Sequence, residues 1–142
     1  MTEQELIEGI LEHNRNSAYF SDSLGIEYDK ISRDVCECHL TAEKKLCNPF
    51  HILHGGVYYT VMDQLAGSMA ALTGKAGVTL DSSVNYMKSA RLGETVRCRM
   101  ESVHIGRSIG VYEAKCYGED GALQCSGTFH IFFTQPIENI VH

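Results

Sequence analysis

From Gly55 to Thr73 the chain reads GGVYYTVMDQLAGSMAALT, nineteen residues with a single charged side chain, Asp63. The stretch predicts a long helix that is apolar on more than one face, with Tyr58, Val61, Leu65, Met69 and Leu72 among its members. A helix apolar nearly all round has to be enclosed. A carboxylate inside it is costly to bury unless something pairs with it or uses it. Immediately upstream lies a polar loop, CNPFHILHGG over 47–56, with two histidines and a Gly-Gly pair. The remaining sequence reads as a wrapper for this loop and helix.

At 142 residues one domain is expected, large enough for a real core. An apolar content of 44% with two prolines predicts a globular chain. No apolar run reaches the roughly 20 residues that span a bilayer. The acidic N-terminus lacks the basic start of a signal peptide, so a soluble, cytoplasmic protein is expected. A net charge of −6 argues against a nucleic-acid surface. The six cysteines include no CxxC pair, so neither zinc nor another metal is expected, and they read as reduced, small apolar residues.

Residues 2–13 predict an amphipathic helix with a Thr2-x-x-Glu5 capping box, an apolar face of Leu6, Ile7, Ile10 and Leu11, and Asn14 as its stop. A second short helix is expected within 16–23, ending before Gly25, with Tyr19 and Phe20 able to reach a pocket. Strand character runs through 24–41. After the long helix, residues 74–77 read as a break and four strands follow: 78–87, 95–103, 108–117 and 123–134. On the last strand Leu123, Cys125, Phe129, Ile131 and Phe133 are expected on one face. Gly118-Glu119-Asp120-Gly121 marks a hairpin. Short turns force antiparallel neighbours. The expected fold is therefore α+β, a curved antiparallel sheet wrapped around one long helix, with a second subunit completing the enclosure.

The chemistry follows from the loop and Asp63. Glycines at a helix start let a ligand approach unpaired N–H groups, the physical basis of an oxyanion hole. Asp63 suits a nucleophile, or a general base whose pKa burial raises towards a useful value. Gly55 and Asp63 are eight residues apart, roughly 12 Å along one helix. One small carbonyl cannot touch both within a chain, so a shared site at a dimer interface is expected.

These residues carry a resemblance. Asn48-x5-His54-Gly55-Gly56-x6-Asp63, followed by Gly77-Val78-Thr79-x6-Tyr86-Met87-x4-Leu92-Gly93-Glu94, resembles the hotdog-fold acyl-CoA thioesterases of the PaaI-like family over about 24–134. The resemblance implies a single hotdog domain over 1–142 with an N-terminal helical extension of about 1–23. It implies that Asp63 is the catalytic carboxylate, that the Gly55 amide polarises the thioester carbonyl, and that His54 holds the loop and the thioester. Asn48 would orient water or the carboxylate, and Thr79 would help position the water. Gly56 would belong to the substrate-binding loop. Lys88, Arg91, Arg107 and Ser108 would meet the coenzyme A phosphates as a local basic rim, Arg107-Ser108 foremost. No cofactor is implied beyond coenzyme A as part of the substrate. The family assembles as homodimers with shared sites and often as homotetramers. Where several members carry glycine three residues before the HGG histidine, this chain has His51. Tyr58, Tyr59, Met62 and Phe50 are candidate walls of the acyl pocket. Two other readings stand beside hydrolysis: a hotdog dehydratase or hydratase of 3-hydroxyacyl thioesters, and a non-catalytic acyl-CoA-binding module.

Overall fold

The computed structural model describes residues 1–16 and 19–139. The part of the expected second helix that falls on 17 and 18 lies outside them. Helix α1 spans Glu3–Asn16. Its capping box is formed as the sequence predicts: the Thr2 amide donates to Glu5 Oε2 at 2.8 Å and the Glu5 amide to Thr2 Oγ1 at 3.1 Å. Asn14 does not stop the helix; its Nδ2 donates to the Ile26 carbonyl at 2.9 Å and ties α1 to the chain just past Gly25. A 3-10 turn over Ser21–Leu24 ends at Gly25, whose φ of 73° is the left-handed value glycine adopts freely.

Six strands form one sheet: β1 (Glu27–Ile31), β2 (Val35–Thr41), β3 (Lys75–Tyr86), β4 (Thr95–Ile105), β5 (Ile109–Tyr117) and β6 (Leu123–Pro136). Every pairing is antiparallel and the order is β1-β2-β4-β5-β6-β3. Helix α2 (Gly55–Ala71) links β2 to β3. The helix carries the chain across the sheet, so β3 emerges at the far edge beside β6.

Alternation decides what faces α2. Val96, Cys98 and Met100 on β4 point inward and are at most 2% exposed, as the period-two pattern predicts. They meet Val61, Met62, Leu65 and Met69 of α2, all fully buried. Burial of side chains of this size stabilises by about 1.5–3 kcal/mol each. Cys38, Cys98, Cys116 and Cys125 stand in register across β2, β4, β5 and β6. All four are buried free thiols on the inner face. On β6, Gly127 faces Met62; a Cβ there would come within 3.1 Å of the Met62 sulfur.

Two expectations need correction. Residues 75–77 do not break the chain. The reversal is made at Gly74, with φ 84°, and β3 begins at Lys75. Gly77 is inside the strand, where a Cβ would lie 2.4 Å from Ile131 Cγ2. Leu123 does not point inward. The β5–β6 register shifts beside it, Gln124 turns into the core at 3% exposure, and Leu123 is left 37% exposed.

Candidate active site

Helix α2 starts where the HGG motif predicts. His54 is its N-cap, with extended backbone, and its Nδ1 accepts the Gly56 N–H at 2.9 Å. An accepting Nδ1 places the proton of the neutral ring on Nε2, which becomes an outward donor. The Gly56 amide is thereby occupied, so of the two glycines it is Gly55 whose amide is available. Among the described residues the Gly55 N–H has no acceptor. The first N–H groups of a helix are unpaired and sit at the positive end of its dipole. The Tyr86 ring lies beside Gly55, 3.3 Å from where a Cβ would sit, and is exposed enough to give by a few tenths of an ångström.

The loop is held from below. The Asn48 carbonyl and amide bond His51 and Ile52, and Asn48 Oδ1 accepts the Phe50 N–H at 2.9 Å. Its carboxamide oxygen is therefore committed to the turn, and Nδ2 is the atom left to contact water or a carboxylate. His51 has φ 61°. This is the left-handed region, which explains why glycine suits the position; histidine is among the side chains that tolerate it. Among the described residues no three His, Cys, Asp or Glu side chains converge as metal ligands.

Asp63 lies two turns further along α2 on its less buried stripe, half-buried. Thr79 Oγ1 on β3 donates to Asp63 Oδ1 at 2.6 Å. The contact orients the carboxylate and leaves the other oxygen for chemistry. Along the same line Tyr59 is hydrogen-bonded to Ser82 and stacks edge-on to Phe129, while Tyr86 flanks Gly55. Helix and edge strand thus run side by side through three contacts: Gly55 with Tyr86, Tyr59 with Ser82, and Asp63 with Thr79. The structure brings Asp63 to Thr79 and His54 to Gly55, but within one chain it keeps the two pairs apart by roughly 12 Å of helix.

Within one chain the four residues expected at the coenzyme A phosphates do not come together. Lys88 is paired with Asp120 at 3.0 Å, and the Asp120 carboxyl is held below its ordinary range by the Ala122 amide and by Lys88. Arg91 sits in the β3–β4 loop, bridged to Ile52 of the site loop. Arg107 and Ser108 occupy the β4–β5 turn, at the other end of a strand about 30 Å long. There the Arg107 carbonyl accepts from Lys75 Nζ at 3.0 Å. Strand length alone therefore separates Lys88 and Arg91 from Arg107 and Ser108 in one chain.

The expected pocket walls also need correction. Tyr58 and Met62 are core, 1% and 0% exposed, and Phe50 is 81% exposed. A cavity of about 540 Å³ opens beside His54 and Gly56, lined by Phe20, Leu24, Lys45, Val57 and Thr60 among others. Phe20 agrees with its expected reach into a pocket. Lys45 had no such signal, because nothing in a charged bend marks one lysine over its neighbours.

Residues 50–125 match the Thioesterase superfamily. The chain is 34% identical to the 1,4-dihydroxy-2-naphthoyl-CoA thioesterase 2 of Arabidopsis thaliana over 66% of its own length and 61% of that protein. It is 27% identical to a thioesterase of Streptococcus pneumoniae solved with coenzyme A, covering 89% and 98% of the two chains with a TM-score of 0.80. PaaI of Escherichia coli, at 15% identity, shares the fold over 94% of each chain with a TM-score of 0.85. The chain belongs to the thioesterase superfamily. It is a hotdog-fold thioester hydrolase.

Proposed function

We propose that the protein hydrolyses an acyl-CoA thioester to a free carboxylic acid and coenzyme A, at sites each shared by two chains. The observation that carries this reading is the free Gly55 amide at the start of α2, beside a His54 whose proton is fixed on Nε2. Both donors suit the carbonyl oxygen of a thioester as it gains charge. One such donor is typically worth about 2.7–4 kcal/mol in the transition state. Asp63, oriented by Thr79, supplies the other half of the chemistry from the partner chain. It either takes a proton from the attacking water or attacks the carbonyl carbon itself, forming an acyl–Asp63 anhydride that water then hydrolyses to the free acid; in both routes the C–S bond breaks and coenzyme A leaves, its sulfur taking a proton that water ultimately supplies. Asn48 Nδ2 serves to orient the water or the carboxylate.

The acyl-CoA class is supported by the coenzyme A in the pneumococcal structure and by the name of the Arabidopsis relative. Lys45, Arg91 and Arg107 are the candidates to meet phosphates, Arg107 with Ser108 from the partner chain. The homodimer reading is supported by β3, an edge strand of twelve residues carrying Val78 and Leu80, each 54% exposed. An apolar edge of this length is a template for a second chain. Pairing of dimers into a tetramer and a cytoplasmic location belong to the same reading. Among the described residues no helix is long and apolar enough to cross a membrane.

The test is release of free thiol from a panel of acyl-CoA esters. Asp63→Asn lowers turnover by at least about a hundredfold, the scale of a lost acid–base group. Gly55→Pro removes the N–H at the first helical position, where proline is favoured and where the extended His54 backbone already suits it. It lowers turnover by about 10²–10³ while the protein stays folded. Full activity in either variant would discard that residue's role.

A further inference from the structure

Beyond Asp63, helix α2 presents Gln64, Gly67, Ser68 and Ala71 to a second cavity, of about 280 Å³, whose opposite wall is α1. The room comes from two glycines. Gly67 on α2 and Gly9 on α1 both line the cavity, and a Cβ at either would meet nothing within 4 Å.

The cavity has a direction, because α1 runs antiparallel to α2. His13, near the end of α1, contacts Asp22 in the 3-10 turn, and Leu24 of that turn lines the first cavity together with Val57 and Thr60 from the first half of α2. Met1 lies beside Glu138, and the Ile137 amide bonds the Gly74 carbonyl just past the end of α2. The end at Gln64, one residue from Asp63, is therefore polar, with Asp22 and His13. The end at Ala71 and Ile137, about 10 Å further along the helix, is lined mainly by apolar side chains, Leu6 and Ile10 among them, and by Met1, whose ammonium is paired with Glu138.

Asp22 is the group that points to a ligand. It is 6% exposed, and among the described residues its Oδ2 accepts no hydrogen bond; His13 Nδ1 is 3.5 Å away. Its polar neighbours are already engaged: Ser68 and Gln64 both bond the Tyr28 hydroxyl, at 2.9 and 3.4 Å. A buried carboxylate oxygen without a donor costs free energy that the O–H of a ligand would recover.

Resting on the acyl-CoA reading above, we propose that this cavity receives the acyl group, with Gly9 and Gly67 setting its length and Asp22 selecting a hydroxyl close to the carbonyl. The substrate class is a medium-length 3-hydroxyacyl thioester. With the carbonyl at Asp63, the first carbons pass Gln64 and Asp22 and the tail lies along the apolar end. The roughly 10 Å available accommodate about eight carbon–carbon bonds of an extended chain. Gly9 and Asp22 lie outside the 50–125 match, so the wall that selects the acyl group and the machinery that cleaves it come from different parts of the sequence.

The test compares 3-hydroxyoctanoyl-, octanoyl- and acetyl-CoA by kcat/KM. Wild type prefers the hydroxylated chain over octanoyl by about tenfold or more, and Asp22→Leu brings that ratio to about one. Asp22→Asn, which keeps an acceptor oxygen and the side-chain shape, retains part of the preference. Gly67→Leu fills the cavity and improves helix propensity; it lowers the octanoyl-to-acetyl ratio by about tenfold or more. An unchanged ratio in either Leu variant overturns the assignment. Calorimetry with the non-hydrolysable thioethers S-octyl- and S-ethyl-CoA separates this proposal from the catalytic reading. Selective loss of S-octyl-CoA binding in Gly67→Leu supports the cavity even if no thioester is cleaved, and equal binding by wild type and variant refutes it.

Discussion

Tyr58 and Tyr112 are both sealed in the core, at 1% and 0% exposure, but their hydroxyls are treated differently. The Tyr58 hydroxyl donates to Gln124 Oε1 at 2.7 Å and accepts the Ala90 N–H at 2.9 Å, which ties α2 to the loop before β4. The Tyr112 hydroxyl has no partner among the described residues. Tyr58→Phe strands two buried polar groups and is expected to cost about 1–3 kcal/mol in chemical denaturation. Tyr112→Phe removes an unpaired hydroxyl and is expected to be neutral or to stabilise by about 1 kcal/mol. Burial pushes both phenols up to about 12, from 10.0. Since folding raises these pKa values, their contribution is complete below about pH 10 and is lost as pH climbs through about 12. Thermal melts across that window should show a steep loss of stability in wild type and a shallower one in Tyr112→Phe. At this scale the sequence is informative where a residue's chemistry is unusual for its setting. Asp63 in an apolar helix and His54-Gly55-Gly56 at its start can be read directly. The hydroxyl partners of Tyr58 cannot, because Ala90 is brought to it by the loop before β4 and Gln124 by the start of β6.

The elements are legible to the extent that periodicity governs them. The 3.6-residue pattern of α2 and the alternation of β4 predict which side chains meet. Where one residue breaks the period, prediction fails: the shift beside Gln124 turns Leu123 outward, and the turn of Leu72, Thr73 and left-handed Gly74 completes the reversal before Lys75, so 75–77 are already strand. The acyl walls are hidden for a related reason. They are built by α1 and the 3-10 turn folding back over α2, a long-range contact that no local pattern announces. For β3 the exposed edge makes a direct prediction. Leu80→Lys places a charge on the unpaired apolar strand and is expected to shift sedimentation velocity from dimer to monomer and to abolish thiol release, while circular dichroism stays native. A monomeric variant with full activity would contradict the shared site.

For the whole molecule, the decisive quantity is the roughly 12 Å of rigid helix between Gly55 and Asp63. If each site takes one residue from each chain, two inactive variants can repair one another. In a heterodimer of Gly55→Pro and Asp63→Asn, one site carries both lesions and the other carries none. Mixing the two proteins under subunit exchange should restore about a quarter of wild-type activity, since half of the dimers are mixed and each has one sound site. Sites confined to single chains would give no recovery.

The row of Cys38, Cys98, Cys116 and Cys125 across the sheet gives the protein a built-in reporter. Hydrogen bonding with the Cys116 and Cys38 thiols, and then burial, drives Cys98 well above the ordinary thiol range, and burial lifts Cys125 to about 12. In the native state these buried sulfurs are shielded from a disulfide reagent, and Cys98 and Cys125 are in addition poor nucleophiles towards it. The colour such a reagent develops with intact enzyme therefore comes from liberated coenzyme A and from partly exposed Cys47. A rising blank without substrate would signal that the sheet has come away from its helix, so an assay meant to count turnovers also registers the moment the fold is lost.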